Sequence, residues 1–395
     1  MTRVAILFDN FGPYHIARMR GASAQLDVVA IEATPRGTEY GWDKPAVPAP
    51  LHYLPLAGTG TLREIIAELD AKLTPLAPAA IALPGWSSRA AFATLIWARQ
   101  HKVPAILMSE TNGWDFARKP LAEWVKRRIV AHYSAGLVTS DSQAGYLAEL
   151  GLRAAAIFRG YNAVDNAYFA RTAAAAAMPD GLPEAFRGRY FLTSNRFIEK
   201  KNLARLLDAY AVFRRGRSDD PADWPLVLLG DGELRAALEA QRTALGLERH
   251  VLMPGFRQID ELPRFYGTAG AFVHASTTEQ WGLVVNEAMA SGLPLAISNR
   301  CGCAEVLVED GVTGLLFDPH DTAAITRALT RLTATDESAA FAAQGRARVD
   351  AWGPDRFGSG MAEAVRAAIG APARPSLIDR TLLDCSISLR GGDRR

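Results

Sequence analysis

The sequence predicts an α/β protein of two domains, each a parallel sheet with helices on both faces, and three observations carry that expectation. Length is the first: 395 residues suit two domains of ordinary size and exceed a single small binding module. Composition is the second. With 49% hydrophobic residues, 22% charged residues and a formal net charge of +2, the chain has the balance of a soluble globular protein, which excludes wholly disordered and polytopic membrane classes. The third is alternation: short apolar runs, each followed by loop residues and then a stretch of helical spacing, mark repeated β-α units.

In the first half the apolar runs at 4–8, 26–31, 79–83, 105–108 and 135–139 read as strands, with helical spacing at 88–101 and 121–132. The pattern breaks around Arg171, where an alanine run meets Pro179, Gly181 and Pro183. Residues 171–189 therefore read as a linker, or as a surface loop inside one domain. Alternation restarts with strands at 190–193, 226–229, 251–253, 271–274, 295–298 and 314–317. Between the first two, Leu203, Leu206, Leu207, Tyr210 and Phe213 share one helix face. The expected division is a first domain at 1–170, the linker at 171–189, a second domain at 190–352, a helix within 353–370 and a mostly disordered tail at 371–395.

Three cysteines, with one residue between Cys301 and Cys303, make no disulfide framework, so a reducing cytoplasm is the expected compartment and packing the expected role of that pair. No run approaches 18 apolar residues, and the one at the N-terminus has only five before Asp9. Neither a membrane span nor a signal-peptide core is expected.

Chemistry concentrates in the second half. In SNRFIEKKN, Arg196 and Lys201 occupy a strand-to-helix loop, where an open α/β sheet binds ligands and two cations suit a diphosphate. The alternative is two solvated surface charges. In FVHASTTEQWGLVVNEAMASGLP, Glu279 lies near a loop apex and Gly282 opens a helix. The N–H groups of Gly282, Leu283 and Val284 suit phosphate, and Glu287 suits ribose hydroxyls. No Asp-x-Asp pair occurs, so no metal is expected and no cofactor is required.

In the first half, Gly12 permits close backbone approach, and His15 at a helix start is a base, a hydrogen-bond donor or a packed structural histidine. Trp86 offers a stacking surface to a sugar, or packs at the core rim. Glu110 hydrogen-bonds a sugar or caps a helix. The stretch ARKPLAEWVKRRIVAHY gathers Arg118, Lys119, Trp124, Lys126, Arg127 and Arg128. It reads either as an amphipathic helix on an anionic membrane or as a surface helix burying its apolar side. No nucleic-acid motif accompanies these cations, and nucleic acid is not an expected partner.

From Arg196 to Phe317 the chain resembles the donor domain of glycosyltransferase family 4. NRFIEKKN is similar to the family's Gly-Arg-x4-Lys-Gly loop, LVLLGDGE to its strand and Gly-Asp-Gly turn, and EQWGLVVNEAMASGLP to its Glu-x7-Glu signature. CGCAEVLVEDGVTGLLFDPHD, GYNAVDNAYF and MPGF also fit. The resemblance is strong over 130–320 and weak before it. It implies the GT-B fold, two Rossmann-like domains facing across a cleft, with the 353–370 helix packing back on the first.

The resemblance further implies a retaining transferase, acting on a UDP- or GDP-sugar. Arg196 and Lys201 would bind the pyrophosphate, Glu279 the transferred sugar, Glu287 the ribose, and Phe256 would sit near the base. The first domain would bind the acceptor, a saccharide or lipid-linked saccharide, in bacterial-type polysaccharide or glycolipid assembly at the inner face of the membrane. Two positions depart from the family: a single Gly12 stands where many relatives carry a glycine pair, and Ser109 and Glu110 stand where relatives often place a histidine. A nucleotide-sugar 2-epimerase, an inverting transferase with His15 as base and a non-catalytic nucleotide-sugar binder are the alternatives.

Overall fold

The computed structural model describes residues 1–35, 41–115, 118–220 and 222–390, the last five by backbone alone. They form two compact units, one of Met1–Ala163 with the chain from Pro354 onward, the other of Val164–Gly353.

The first unit has strands β1 (Arg3–Phe8), β2 (Asp27–Glu32), β3 (His52–Pro55), β4 (Ala80–Leu83), β5 (Ala105–Met108), β6 (Tyr133–Val138) and β7 (Ile157–Arg159). They run parallel in the order β3-β2-β1-β4-β5-β6-β7. Helices α1 (Pro13–Ser23), α2 (Leu62–Leu73), α3 (Arg89–Gln100), α4 (Pro120–Val130) and α5 (Asp141–Glu149) connect them. Inner strands covered on both faces need apolar side chains on both. Val4, Ile6 and Phe8 accordingly enter one core, while the intervening Ala5 and Leu7 enter the other. The edge strands β3 and β7 escape the sequence pattern because only Leu54 among their residues is buried.

The second unit has β8 (Phe191–Ser194), β9 (Leu226–Leu229), β10 (Val251–Gly255), β11 (Ala271–His274), β12 (Leu295–Ser298) and β13 (Leu315–Phe317), parallel in the order β10-β9-β8-β11-β12-β13. Each strand expected in this half is present. Its helices are α6 (Asn166–Ala174), α7 (Leu203–Arg214), α8 (Arg235–Ala244), α9 (Leu262–Thr268), α10 (Leu283–Ala290), α11 (Ala304–Leu307), α12 (Thr322–Leu332) and α13 (Thr335–Val349). Helices α14 (Pro354–Gly370) and α15 (Leu377–Arg390) return to the first unit. There α14 lies so close to α1 that a Cβ on Gly21 would meet the Pro354 carbonyl oxygen at 2.1 Å.

Two boundaries differ from expectation. The supposed linker at 171–189 belongs to the second unit, which begins at Val164. Arg171 lies in α6, whose Phe169 and Ala173 are buried. The packing against α9 is tight: a Cβ on Gly267 would lie 2.2 Å from the Ala173 carbonyl oxygen. Of the alanine run only Ala173 packs in the helix, and residues 175–177 and the prolines follow the helix end. The tail expected to be disordered contains α15 instead, with residues 391–395 outside the described residues. Ser376 and Asp379 cap α15 reciprocally, Ser376 N–H donating to Asp379 Oδ2 at 2.9 Å and Asp379 N–H to Ser376 Oγ at 3.3 Å. Leu383 then enters the first unit's core.

Candidate active site

The strand order of the second unit reverses between β8 and β11, the position where doubly wound sheets open a crevice beyond the strand ends. The loop after β8 is fastened to the turn after β9. Asn195 N–H donates to the Leu229 carbonyl at 2.9 Å, Phe197 N–H to that of Asp231 at 2.7 Å, and Leu234 N–H to that of Phe197 at 3.0 Å. Gly230 makes this contact possible, since a Cβ there would sit 1.8 Å from the Asn195 carbonyl oxygen at a φ of +130°. Phe197 is buried beneath the loop while Arg196 is left exposed. Lys201 closes a 3-10 turn at Glu199–Lys201. Asn202 then adopts a left-handed conformation and donates to the carbonyls of Ala275 and Pro319 at 3.0 and 2.8 Å, tying this loop to the one after β11.

Across the reversal point Lys201 pairs with Glu279, and Lys200 Nζ lies 3.6 Å from the same carboxylate. His274, fully buried at the end of β11, brings Nε2 to 3.6 Å from Glu279 and 3.1 Å from Ser276 Oγ. Burial pushes the Glu279 carboxyl up, but His274, Lys201 and Lys200 outweigh it and hold the group well below the usual carboxylate range. Burial in turn pushes His274 down despite Glu279. A neutral imidazole brings no full charge, so the two lysine cations are the durable cause of the Glu279 depression. Glu279 is thus ionised at neutral pH, and its partner Lys201 keeps 13% of its side chain exposed.

Gly282 caps α10 at a φ of +102° with no side chain bonding into the cap, and Gly282, Leu283 and Val284 are half-buried. The helix start is therefore an open array of N–H groups beside Glu279. Phe256, directly after β10, is exposed. Glu287 differs from the others: it is 1% exposed and accepts the Tyr266 hydroxyl proton on Oε2 at 2.7 Å. Cys301 and Cys303 are free, buried thiols, pushed up by burial. Among the described residues no group of three His, Cys, Asp or Glu side chains converges as a metal site. His274 and Ser276 stand at the same strand end as Glu279, whereas Tyr266 of α9 joins the cluster without a sequence signal, because only packing brings it to Glu287.

In the first unit the reversal point lies between β1 and β4. His15 Nδ1 accepts the Gly12 N–H at 3.0 Å, a helix cap in which the imidazole takes the acceptor role. Burial and the neighbouring Arg18 push His15 down to about 3, so it is neutral. Glu110 caps no helix, since α4 starts at Pro120. Its Oε2 accepts from Asn162 Nδ2 at 3.2 Å, and Asn162 Oδ1 accepts from Arg18 at 3.2 Å. Arg18, which sequence reading missed, is 4% exposed, bonds the Ala163 carbonyl and lies over the Tyr161 ring. Trp86 is half-buried against the core. A cleft of about 230 Å³ opens between Asp9, Thr34, Gly58, Ser88 and Arg89.

Of the six residues singled out in the basic stretch, Arg118 pairs with Glu149 at 2.6 Å and Lys126 with Glu123 at 2.7 Å. Arg128 reaches Asp379. Lys119, Trp124 and Arg127 are exposed, and no helix among the described residues is long and apolar enough to cross a membrane.

This is a doubly wound α/β fold of two units, and comparison with known proteins identifies the class. Residues 177–348 match the family model of glycosyl transferases group 1, and residues 15–162 that of a glycosyl transferase 4-like domain. The chain belongs to the group 1 glycosyltransferases, family 4. It is similar to the alpha-D-kanosaminyltransferase of Streptomyces kanamyceticus, 27% identical over 263 residues, 62% of this chain and 65% of that protein. It is also similar to the lipopolysaccharide core biosynthesis glycosyltransferase LpsE of Rhizobium meliloti (strain 1021), 32% identical over 143 residues, 36% of this chain and 39% of that protein. The chain thus spans less than two thirds of either relative's length. Among solved structures, Anabaena HepE in complex with UDP and glucose matches with a TM-score of 0.69 and 18% identity, over 93% of this chain and 100% of that one. This likeness shows the fold, GT-B.

Proposed function

We propose that the protein transfers a sugar, with retention, from a nucleotide-diphosphate sugar to a saccharide or lipid-linked saccharide acceptor in polysaccharide or glycolipid assembly. The observation that carries the reading is the convergence at the β8/β11 reversal of exposed Arg196, the Lys201–Glu279 pair and the open start of α10. The UDP and glucose bound to Anabaena HepE support a UDP-sugar as donor, and LpsE supports a polysaccharide product.

The diphosphate takes Lys201 from its pair and faces Arg196 and the N–H groups of Gly282, Leu283 and Val284. Glu279, already ionised, accepts hydroxyls of the transferred sugar. Tyr266 holds Glu287 for the ribose, and Phe256 flanks the base. In transfer the bond from the anomeric carbon to the phosphate oxygen breaks and the diphosphate keeps the electron pair. The acceptor oxygen bonds that carbon, and its proton passes to the leaving phosphate. Negative charge grows on the diphosphate, where preorganised cations and helix dipoles favour it without a divalent ion. In the first unit, the cleft beside Asp9 and Arg89, with Gly12, His15, Trp86 and Glu110 near its strand ends, is the acceptor side.

A panel of UDP- and GDP-sugars tested for protection against thermal unfolding checks the donor. A ligand at about 100 times its Kd stabilises by roughly 2.7 kcal/mol. Protection by one nucleotide series is expected, and no protection by any member rejects the reading. Product analysis with the protecting donor then separates transfer from epimerisation.

A further inference from the structure

Helix α4 packs Ile129 and Val130 on the core at its far end but leaves the rest of its apolar side open. Leu121 is 74% exposed, Trp124 44% and Val125 42%, at spacings that place them on one stripe, and only Val130 at the far end is buried. A surface helix ordinarily turns such a stripe to its core. The start of α15 lies alongside. Arg128 of α4 pairs with Asp379 of α15 at 3.2 Å and holds its guanidinium 5.6 Å from the centre of the Trp124 ring. One cation thus joins that ring to the first turn of α15. Asp379 and Leu383 hold the inner face of α15, which leaves Leu377 78%, Ile378 62% and Leu382 40% exposed on the outer face. Six open apolar side chains on two adjoining helices exceed the scattered singles of an ordinary surface.

The rim is basic. Lys119 and Arg127 flank the stripe on α4, and Arg374 and Arg380 lie at the start of α15, all exposed. We infer that α4 and α15 together form a docking face for an anionic lipid bilayer, the apolar side chains entering the interface and the cations meeting lipid phosphates. Charge selects this occupant: apolar groups ringed by cations match the zone where acyl chains end and anionic headgroups begin. A second copy of the same face would set cations against cations across a two-fold axis. The inference rests on the lipid-linked acceptor proposed above and extends it to a helix that the sequence did not reveal.

Vesicle flotation of the full chain tests it without donor or acceptor, while protection by nucleotide-sugars reports separately on the donor. Association is expected with phosphatidylglycerol-containing vesicles at low ionic strength, and not with phosphatidylcholine alone. Ile378→Ser with Leu382→Ser, and independently Lys119→Glu with Arg127→Glu, should each weaken it roughly tenfold at an unchanged melting temperature, because these side chains are exposed. Absence of association with anionic vesicles overturns the inference, as does equal binding to neutral ones. Full binding by the Ile378/Leu382 variant removes α15 from the face. Self-association in solution that this variant abolishes shows instead an interface between copies.

Discussion

The two units share a parallel, doubly wound sheet and differ in what stands where the strand order reverses. In the first unit the charged and polar groups of Arg18, Glu110 and His15 are engaged within the protein: Arg18 is buried on Tyr161, Asn162 and Ala163, Asn162 connects it to Glu110, and His15 is neutral and committed to Gly12. In the second unit Arg196 is exposed, Lys201 stays partly open beside Glu279, and α10 begins without a side-chain cap. One topology therefore supplies two crevices with different arrangements of charge. A crevice whose charges are mutually satisfied positions backbone and shape, whereas one with exchangeable cations can bind an anion.

Substitutions should dissociate the two. The largest effect is expected for Lys201→Ala and Glu279→Gln, each lowering transfer about 10²- to 10³-fold, by analogy with single preorganised donors, and weakening nucleotide-sugar protection. Wild-type turnover in both variants would remove the donor assignment. Arg18→Met should behave in the opposite way. It leaves Asn162 and the Ala163 carbonyl short of a buried donor, at a cost of about 3 kcal/mol in stability by denaturant unfolding, while nucleotide-sugar protection persists. Loss of that protection at unchanged stability would show that the first unit's network is not structural.

The smallest effect concerns pH. His15 has its pKa lowered to about 3 in the fold against about 6.5 in the unfolded chain, so the unfolded state binds the proton first as pH falls. The stability tied to neutral His15 is complete above about pH 6.5 and is lost progressively down to about 3. His15→Asn keeps an acceptor for the Gly12 N–H but has nothing to titrate. Its melting temperature should therefore fall less steeply than the wild type's between pH 6.5 and 4, and parallel curves would exclude His15 as the cause. Glu279, also depressed, keeps its contribution above the usual carboxylate range and loses it progressively as pH falls through and below that range.

How much was legible depended on how local each determinant is. Inner strands such as Ala80–Leu83 and Leu226–Leu229 are buried on both faces and announce themselves as apolar runs. Edge strands at His52–Pro55 and Ile157–Arg159 are half-wet and do not. The helix at Leu377–Arg390 was concealed by its polar surroundings, although the Ser376-x-x-Asp379 capping pair was readable. Arg171 seemed to begin a linker because alanines and prolines mark breaks in sequence, while α9 had no local trace of the face α6 packs on.

By itself the sequence determined the doubly wound architecture, the family motifs and the placing of Arg196, Lys201 and Glu279 in loops at strand ends, since periodicity and loop chemistry are properties of neighbouring residues. Only the tertiary structure decided that Lys201 meets Glu279 across the sheet reversal, that Tyr266 holds Glu287, that Arg18 is buried and that α4 and α15 leave one apolar face open. Those facts depend on contacts between residues far apart in the chain, where burial and charge at one position are set by side chains that no local pattern encodes.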